Sequence, residues 1–354
     1  MAYPTVVMDS AVKRKLRTID PSWSTPQILD ALLLSLKGEG PALSTRDIAA
    51  TEVDPRVALV VTTSGSTGDP KSVLLSKQSL LASTRATHKY LNATSGQRWS
   101  LLLPTNHIAG INVLLRSIEL GTTPVTVESH ADYTAIVPTQ LHRALNGDTT
   151  LFNHLKGCTA VLVGGGPLDK ELRHQAVVAG INVIATYGMT ETCGGLIYDG
   201  QPLDGVQVEI RNGQIALKAP QIALGYLDSD LPSEDGWFIT NDLGEIVDEE
   251  VKVLGRADDQ IISGGEKISL SAIENFLQSE FKSTEIIAFA KADKEWGESL
   301  CIATTTDLEL SLIQSKLKEK FGAHASPKQL FKISAIPYLG IGKPDRKKLA
   351  NDNS

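Results

Sequence analysis

The sequence predicts an α/β protein, with a large N-terminal domain of α/β layers plus a small distorted β-barrel, followed by a small α+β C-terminal domain. Three observations predict it. Short apolar runs of strand type alternate with helix-like stretches up to about residue 255, which reads as mostly parallel sheet. From residue 205 the texture changes to short alternating strands with turns. Beyond the polar link Gly255-Arg256-Ala257-Asp258-Asp259 a second α/β pattern begins. At 354 residues the chain exceeds the size at which one core keeps growing, so two unequal domains, 1–255 and 256–354, are expected.

Taken in order, the apolar run Val57-Ala58-Leu59-Val60-Val61 predicts a strand over 58–62. It opens into Thr62-Thr63-Ser64-Gly65-Ser66-Thr67-Gly68-Asp69-Pro70-Lys71, a run of hydroxyls and glycines closed by a lysine. Such a loop suits a phosphate: glycines let backbone N–H groups approach, hydroxyls add donors, and the ammonium of Lys71 adds charge. A polar surface turn is the plain alternative. The stretch Gly65 to Ser72 comes within one residue of the P-loop pattern, but Pro70 stands where glycine is required. Proline has no N–H to donate, and Ser72-Val73-Leu74-Leu75 reads as a second strand rather than a helix, so a P-loop NTPase is not indicated.

Ser76 is placed to cap a helix over 77–91. Strands are expected at 99–103, 123–127, 160–163 and 183–186, with helices at 108–120 and 168–179. Runs at 206–211, 214–219 and 237–240 make up the small sheet or barrel. In the C-terminal part, helices near 271–281 and 309–321 accompany strands at 286–290 and 300–304.

A net charge of −7 argues against a surface built for nucleic acid or anionic membrane, so any anionic ligand must be held locally. Cys158, Cys193 and Cys301 stand far apart with no C-x-x-C pair, which indicates neither a disulfide framework nor a zinc cluster and fits a reducing cytosol. The richest apolar run, 28–36, is broken by Asp30 and too short to span a bilayer, and no run of signal-peptide type follows the basic residues at 13–17. A soluble cytoplasmic protein is expected.

Four further stretches occur in register with the phosphate loop: Tyr187-Gly188-Met189-Thr190-Glu191-Thr192, Trp237-Phe238-Ile239-Thr240-Asn241-Asp242, Gly255-Arg256-Ala257-Asp258-Asp259 running on to Gly264-Gly265-Glu266, and Gly342-Lys343 with Arg346. Together they resemble the acyl-adenylate-forming superfamily of acyl-CoA synthetases, luciferases and peptide-synthetase adenylation domains. The resemblance covers roughly 57–349, and the stretch ahead of the phosphate loop is shorter than is usual there. It implies an enzyme using ATP, Mg2+ and coenzyme A in two half-reactions. A carboxylate first attacks the α-phosphate, and a thiol then displaces AMP. No general base is needed for the first step, because a carboxylic acid is already ionised at neutral pH.

By the same resemblance, Thr63, Ser64, Gly65, Ser66, Thr67, Gly68, Lys71, Tyr187, Gly188, Asp242 and Arg256 are expected to bind ATP and AMP. Glu191 is expected to hold magnesium, Thr190 to bond the α-phosphate, and Lys343 to be the catalytic lysine of adenylation. The implied C-terminal domain is a mobile lid, with Asp258 at its hinge and Gly264 and Gly265 on the coenzyme A side. Read singly, Lys343 could be a solvated tail lysine and Asp258 a plain linker aspartate.

His107-Ile108-Ala109-Gly110 with Arg116 nine residues after the histidine, and Leu162-Val163-Gly164-Gly165-Gly166-Pro167, look like the o-succinylbenzoate–CoA ligases of menaquinone biosynthesis. The implied acyl site comprises His107, Arg116, Gly164, Gly165 and Gly166. The physics suits a dianionic acid, since an arginine in an apolar pocket demands an anion or an acidic neighbour. A surface pair of Arg116 with Glu119 is the competing account. A ligase for another aryl or short-chain acid, and a non-catalytic nucleotide-binding relative, remain as alternatives, and a homodimer is left open.

Overall fold

The computed structural model describes residues 13–63, 70–263, 265–283, 285–293, 297–338 and 344–352. The chain divides into two compact units. The first comprises Met1–Glu209, Ala216–Ile239 and Ile246–Val251, and the second Ile210–Ile215, Thr240–Glu245 and Lys252–Ser354. Segments 210–215 and 240–245 thus fall with the C-terminal unit although they precede the 255/256 boundary read from the sequence.

In the first unit, helices α1 (Thr25–Lys37), α2 (Lys77–Leu91), α3 (Ile108–Glu119), α4 (Pro138–Leu145), α5 (Thr149–Gly157) and α6 (Lys170–Val178) accompany two six-stranded sheets. The first sheet runs in the order Gly225–Tyr226, Lys71–Ser76, Val57–Thr63, Ala42–Ser44, Arg14–Thr18, Glu52–Val53. Strand Val57–Thr63 lies between an antiparallel and a parallel neighbour, and Val57 to Val61 are all buried. That is why its sequence is continuously apolar rather than alternating.

The second sheet is ordered Gln201–Pro202, Gly194–Tyr198, Val183–Met189, Ala160–Val163, Tyr133–Ile136, Trp99–Ser100. Its last four strands are parallel, joined by helical crossovers. Leu141, Leu155 and Ala176 of α4, α5 and α6 pack on one face with Ile136, Val161 and Val183. Helix α3 covers the other. It is apolar on every side and buried from Gly110 to Ser117, as such a helix must be. Ile111, Leu114 and Leu115 join the core of the first sheet, whereas Val113 joins Trp99, Tyr133, Leu162 and Ile184 of the second.

Local chemistry explains the ends. The Ser76 hydroxyl accepts from the Ser79 amide at 3.0 Å, and the Ser76 amide donates to the Ser79 hydroxyl at 3.1 Å, a reciprocal cap for α2. Gly110 packs against Pro104 so closely that a Cβ would lie 2.3 Å from the Pro104 carbonyl oxygen, which fixes how α3 starts. Two sequence expectations are corrected here. The strand expected over 123–127 is reduced to a bridge between Ser100 and Val125, because Pro124 has no N–H to extend a ladder. The strand expected over 99–103 ends at Ser100. The stretch 133–157, unassigned from sequence, forms a four-residue strand and helices α4 and α5, with Pro138 starting α4.

A five-stranded sheet follows the order Gln207–Arg211, Gln214–Lys218, Trp237–Val247, Ser233–Glu234, with Glu250–Arg256 on Trp237–Val247, and the division into units runs through it. The second unit contains α7 (Leu270–Phe281), α8 (Leu310–Phe321) and α9 (Arg346–Asp352) on a sheet ordered Glu266–Ser269, Gln260–Ser263, Gly297–Thr304, Ile286–Asp293, with Gln329–Lys332 beside Gly297–Thr304. Ile273, Leu277, Ile313 and Leu317 pack on one face with Ile286, Ala288, Leu300 and Ile302. Phe289 and Cys301 meet Ile336 and Leu349 of α9 on the other. Among the described residues no helix is long and apolar enough to cross a membrane.

Candidate active site

Strand Val183–Met189 carries Tyr187, Gly188 and Met189 into a 3-10 turn, Thr190–Thr192, before the chain returns antiparallel as Gly194–Tyr198. A Cβ on Gly188 would fall 2.0 Å from the Gly194 carbonyl oxygen, so the two strands can pair this closely only with glycine there. Cys193 makes the turn in the left-handed region, φ 52°, and its carbonyl accepts from the Asn112 amide at 2.8 Å and the Ser83 hydroxyl at 3.0 Å. Helices α2 and α3 thereby clamp the turn that bears Thr190 and Glu191.

Glu191 Oε1 accepts from the Tyr226 hydroxyl at 2.9 Å, and the Lys71 ammonium lies 5.0 Å from the Tyr226 ring centroid. Tyr226 sits opposite Val73 at the edge of the first sheet, so sheet pairing gathers Lys71 and Glu191 around one phenol. Thr63 and Lys71, which flank the stretch expected to bind phosphate, are register partners, with the Thr63 hydroxyl 3.3 Å from the Lys71 carbonyl. Ser64, Gly65, Ser66, Thr67 and Gly68, together with Gly264 and Lys343, lie outside the described residues.

A cleft next to this turn is lined by Leu103, Ile108, Ala109, Asn112 and Arg116, by Ala135 to Val137, Leu162, Gly164 and Gly165, and by Thr186, Gly188, Met189, Gly194, Gly195 and Tyr198. Of the expected acyl residues, Arg116, Gly164 and Gly165 meet there. His107 and Gly166 do not. His107 precedes α3 and is half-buried, its pKa lowered first by burial and then by Arg46, while Gly166 is exposed with nothing within 4 Å of a notional Cβ.

Arg116 is 3% exposed. Its guanidinium lies 4.8 Å from the Trp99 ring centroid, with Nη2 3.3 Å from Thr87 Oγ1 and 3.4 Å from the Tyr198 hydroxyl, and its Nε has no partner. Burial lowers the pKa of Arg116, and the Tyr198 oxygen opposes that. The pairing with Glu119 does not form: Glu119 accepts from Arg85 of α2 at 2.7 Å on the surface. Neighbouring His88 is pushed down to about 4, by burial first and then by Arg116.

In the C-terminal unit, buried Asp242 lies 3.5 Å from Arg256 Nη1, and Arg256 grips Asp258 through two bonds of 2.7 and 2.9 Å. Gly265 takes φ +87° in the turn between strands Gln260–Ser263 and Glu266–Ser269. Arg346, from the Gly-Lys stretch, is held by Asp259, by Glu274 at 2.8 Å and by the Ala288 carbonyl at 2.9 Å. Burial pushes Glu274 up to about 7 against the pull of Arg346.

Sequence reasoning missed Asn112, Thr87, Trp99, Tyr198 and Tyr226. Asn112 alone left a signal, as a polar residue one turn before Arg116 in an otherwise apolar helix. Among the described residues no three His, Cys, Asp or Glu side chains form a metal cluster. A magnesium ion held largely by phosphate oxygens and water needs only one or two carboxylates, and Glu191 fits that requirement.

The model of the AMP-binding enzyme family matches residues 6–228. A probable 2-succinylbenzoate–CoA ligase of Mycobacterium tuberculosis is 34% identical over 363 residues, covering 91% of this chain and 94% of that one. The 2-succinylbenzoate–CoA ligase of Enterococcus faecalis is 29% identical, over 81% of this chain and 68% of its own. Among solved structures, the o-succinylbenzoate coenzyme A synthetase of Bacillus subtilis with the acyl-adenylate intermediate superposes with a TM-score of 0.74 at 24% identity, covering 94% of this chain and 82% of that chain. The same enzyme with ATP and magnesium gives 0.74 at 23%, over 95% and 84%. These likenesses establish the α/β architecture expected from sequence, and the matched family model spans more than half of the residues. The chain belongs to the AMP-binding enzyme family.

Proposed function

We propose that the chain is an AMP-forming acid–thiol ligase that adenylates 2-succinylbenzoate and passes the acyl group to coenzyme A. One observation carries the choice of acid: Arg116, fully buried in the cleft beside the Tyr187–Glu191 turn, has no carboxylate partner. An uncompensated buried cation is costly, and an acid with a second carboxylate removes that cost while being selected by it. The names of the relatives point to the same acid.

In the first half-reaction an oxygen of the succinyl carboxylate attacks the α-phosphorus of ATP, and the bond to the β-phosphate oxygen breaks, releasing pyrophosphate. In the second, the sulfur of coenzyme A attacks the acyl carbon and AMP leaves with the carboxyl oxygen it gained. Magnesium, when bound, neutralises phosphate charge, and Glu191 is the residue that would hold it. Thr190, Lys71 and the 64–68 loop bind the phosphates. Tyr187 and Gly188 line the nucleotide side, Asp242 and Arg256 serve the ribose, and Lys343 supplies charge to the reacting carboxylate and α-phosphate. In this reading 1–255 holds the ATP and acyl sites, and 256–354 is the lid, hinged at Asp258, with Gly264 and Gly265 on the coenzyme A side. Separated, buried free cysteines suit the reducing cytosol.

ATP–pyrophosphate exchange over a panel of acids tests the proposal. Exchange driven by 2-succinylbenzoate and not by benzoate is expected. Equal exchange with benzoate would favour the broader aryl-acid ligase, and silence across the panel would favour a binding protein without catalysis.

A further inference from the structure

The structure assigns Tyr198 and Thr87 as positioning residues that hold Arg116 charged and unneutralised, and so as determinants of selectivity for an acid with a second carboxylate. This rests on the reading that Arg116 meets that carboxylate.

The argument is a count of protons. Thr87 Oγ1 lies 3.0 Å from the Ser83 carbonyl, which can only accept, so the single Thr87 hydroxyl proton is spent there. In the 2.9 Å contact between Thr87 Oγ1 and the Tyr198 hydroxyl, Tyr198 must therefore donate. With its proton committed, the Tyr198 oxygen turns a lone pair outward, and Arg116 Nη2 approaches both oxygens, at 3.4 and 3.3 Å. The hydrogen bonds run one way, from Arg116 to Tyr198 to Thr87 to the Ser83 carbonyl, through atoms shut off from water.

Two neutral oxygens do what a carboxylate could not. An acidic partner would fix the guanidinium equally well but would cancel its charge and compete with the ligand. Hydroxyl acceptors set its direction and leave the cation available. The Trp99 ring covers one face, which leaves recognition to the N–H edge, where Nε has no partner within the protein. Tyr198 also lies on the strand paired to Val183–Met189, so the cation is positioned by the same strands that carry Tyr187 into the catalytic turn. Such pre-positioning lowers the ordering cost of binding.

The test measures kcat/KM for 2-succinylbenzoate and for 3-benzoylpropionate, the same keto acid without the ring carboxylate, in the wild type, Arg116→Ala, Tyr198→Phe, Thr87→Val and Thr87→Ser. The ratio of the two should fall about tenfold in Tyr198→Phe and in Thr87→Val, mainly through KM for the diacid, as expected for weakening a charged hydrogen bond. Thr87→Ser should keep the wild-type ratio. Equal losses on both acids, or an unchanged ratio where Arg116→Ala collapses it, would overturn the positioning role and leave the reading of Arg116 standing. A ratio unchanged in Arg116→Ala itself would remove that reading and this inference with it. Melting temperatures identify any variant that fails to fold, and Tyr198→Phe and Thr87→Val then stand in for one another.

Discussion

Arg116 places a cation where burial opposes its charge. Its stem packs in a helix buried on every side, and its head meets hydroxyls and an indole ring instead of a carboxylate. A buried cation without an ionic partner carries a desolvation cost that an apolar residue of similar volume does not. Arg116→Met should therefore melt at or above the wild-type temperature while its KM for 2-succinylbenzoate rises, and a melting temperature clearly below wild type would show that the guanidinium supports the fold. Neighbouring His88 is held neutral by burial first and by the Arg116 charge second. Its folded pKa of about 4 lies below the ordinary 6.5, so between these values the unfolded chain binds a proton that the native state refuses. Stability is thus intact above pH 6.5 and falls as the pH drops towards 4. In thermal unfolding across that range, His88→Gln should lose less melting temperature than the wild type, and parallel curves would count against the assignment. Sequence alone offered Arg116 two partners, Glu119 or a ligand. It could not choose, because Trp99, Thr87 and Tyr198 reach the guanidinium from three other elements.

Among elements, α9 shows a residue of the Gly-Lys stretch, Arg346, at work inside the C-terminal unit's own structure. Arg346 begins the helix, and its guanidinium joins Asp259 at the end of the 257–259 turn to Glu274 of α7 and the Ala288 carbonyl of the edge strand Ile286–Asp293. Without it two carboxylates remain buried together, so Arg346→Ala should destabilise the C-terminal unit by about 3–5 kcal/mol in denaturant unfolding. Arg346→Lys should rescue little, because one ammonium cannot span both carboxylates and a carbonyl. A loss below about 1 kcal/mol would mark the cluster as a solvated surface feature. Helices with clear signals were legible in the chain, such as α2 with its Ser76 cap. The strand at 133–136 was not, since four residues carry too little periodicity to register, and Pro124 removed a strand that composition favoured.

At the scale of the molecule, the two units have separate cores, one built around α3 and its two sheets and the other around α7, α8 and the sheet of the second unit. Calorimetry should resolve two transitions, with Arg346→Ala lowering one and leaving the other in place, whereas a single shared shift would mean that the units unfold together. What the sequence determined by itself is the α/β class, the change of texture near 205 and the family to which the chain belongs, because periodicity, turn chemistry and side-chain type are written locally. Tertiary structure alone decided which of the candidate residues meet. Lys71, Glu191 and Tyr226 come together through sheet order, Thr87, Arg116 and Tyr198 through the packing of two helices on a strand, and Gly166 and His107 are left outside the cleft. Contacts between residues far apart in the chain depend on how whole elements pack, and no short stretch of sequence carries that information.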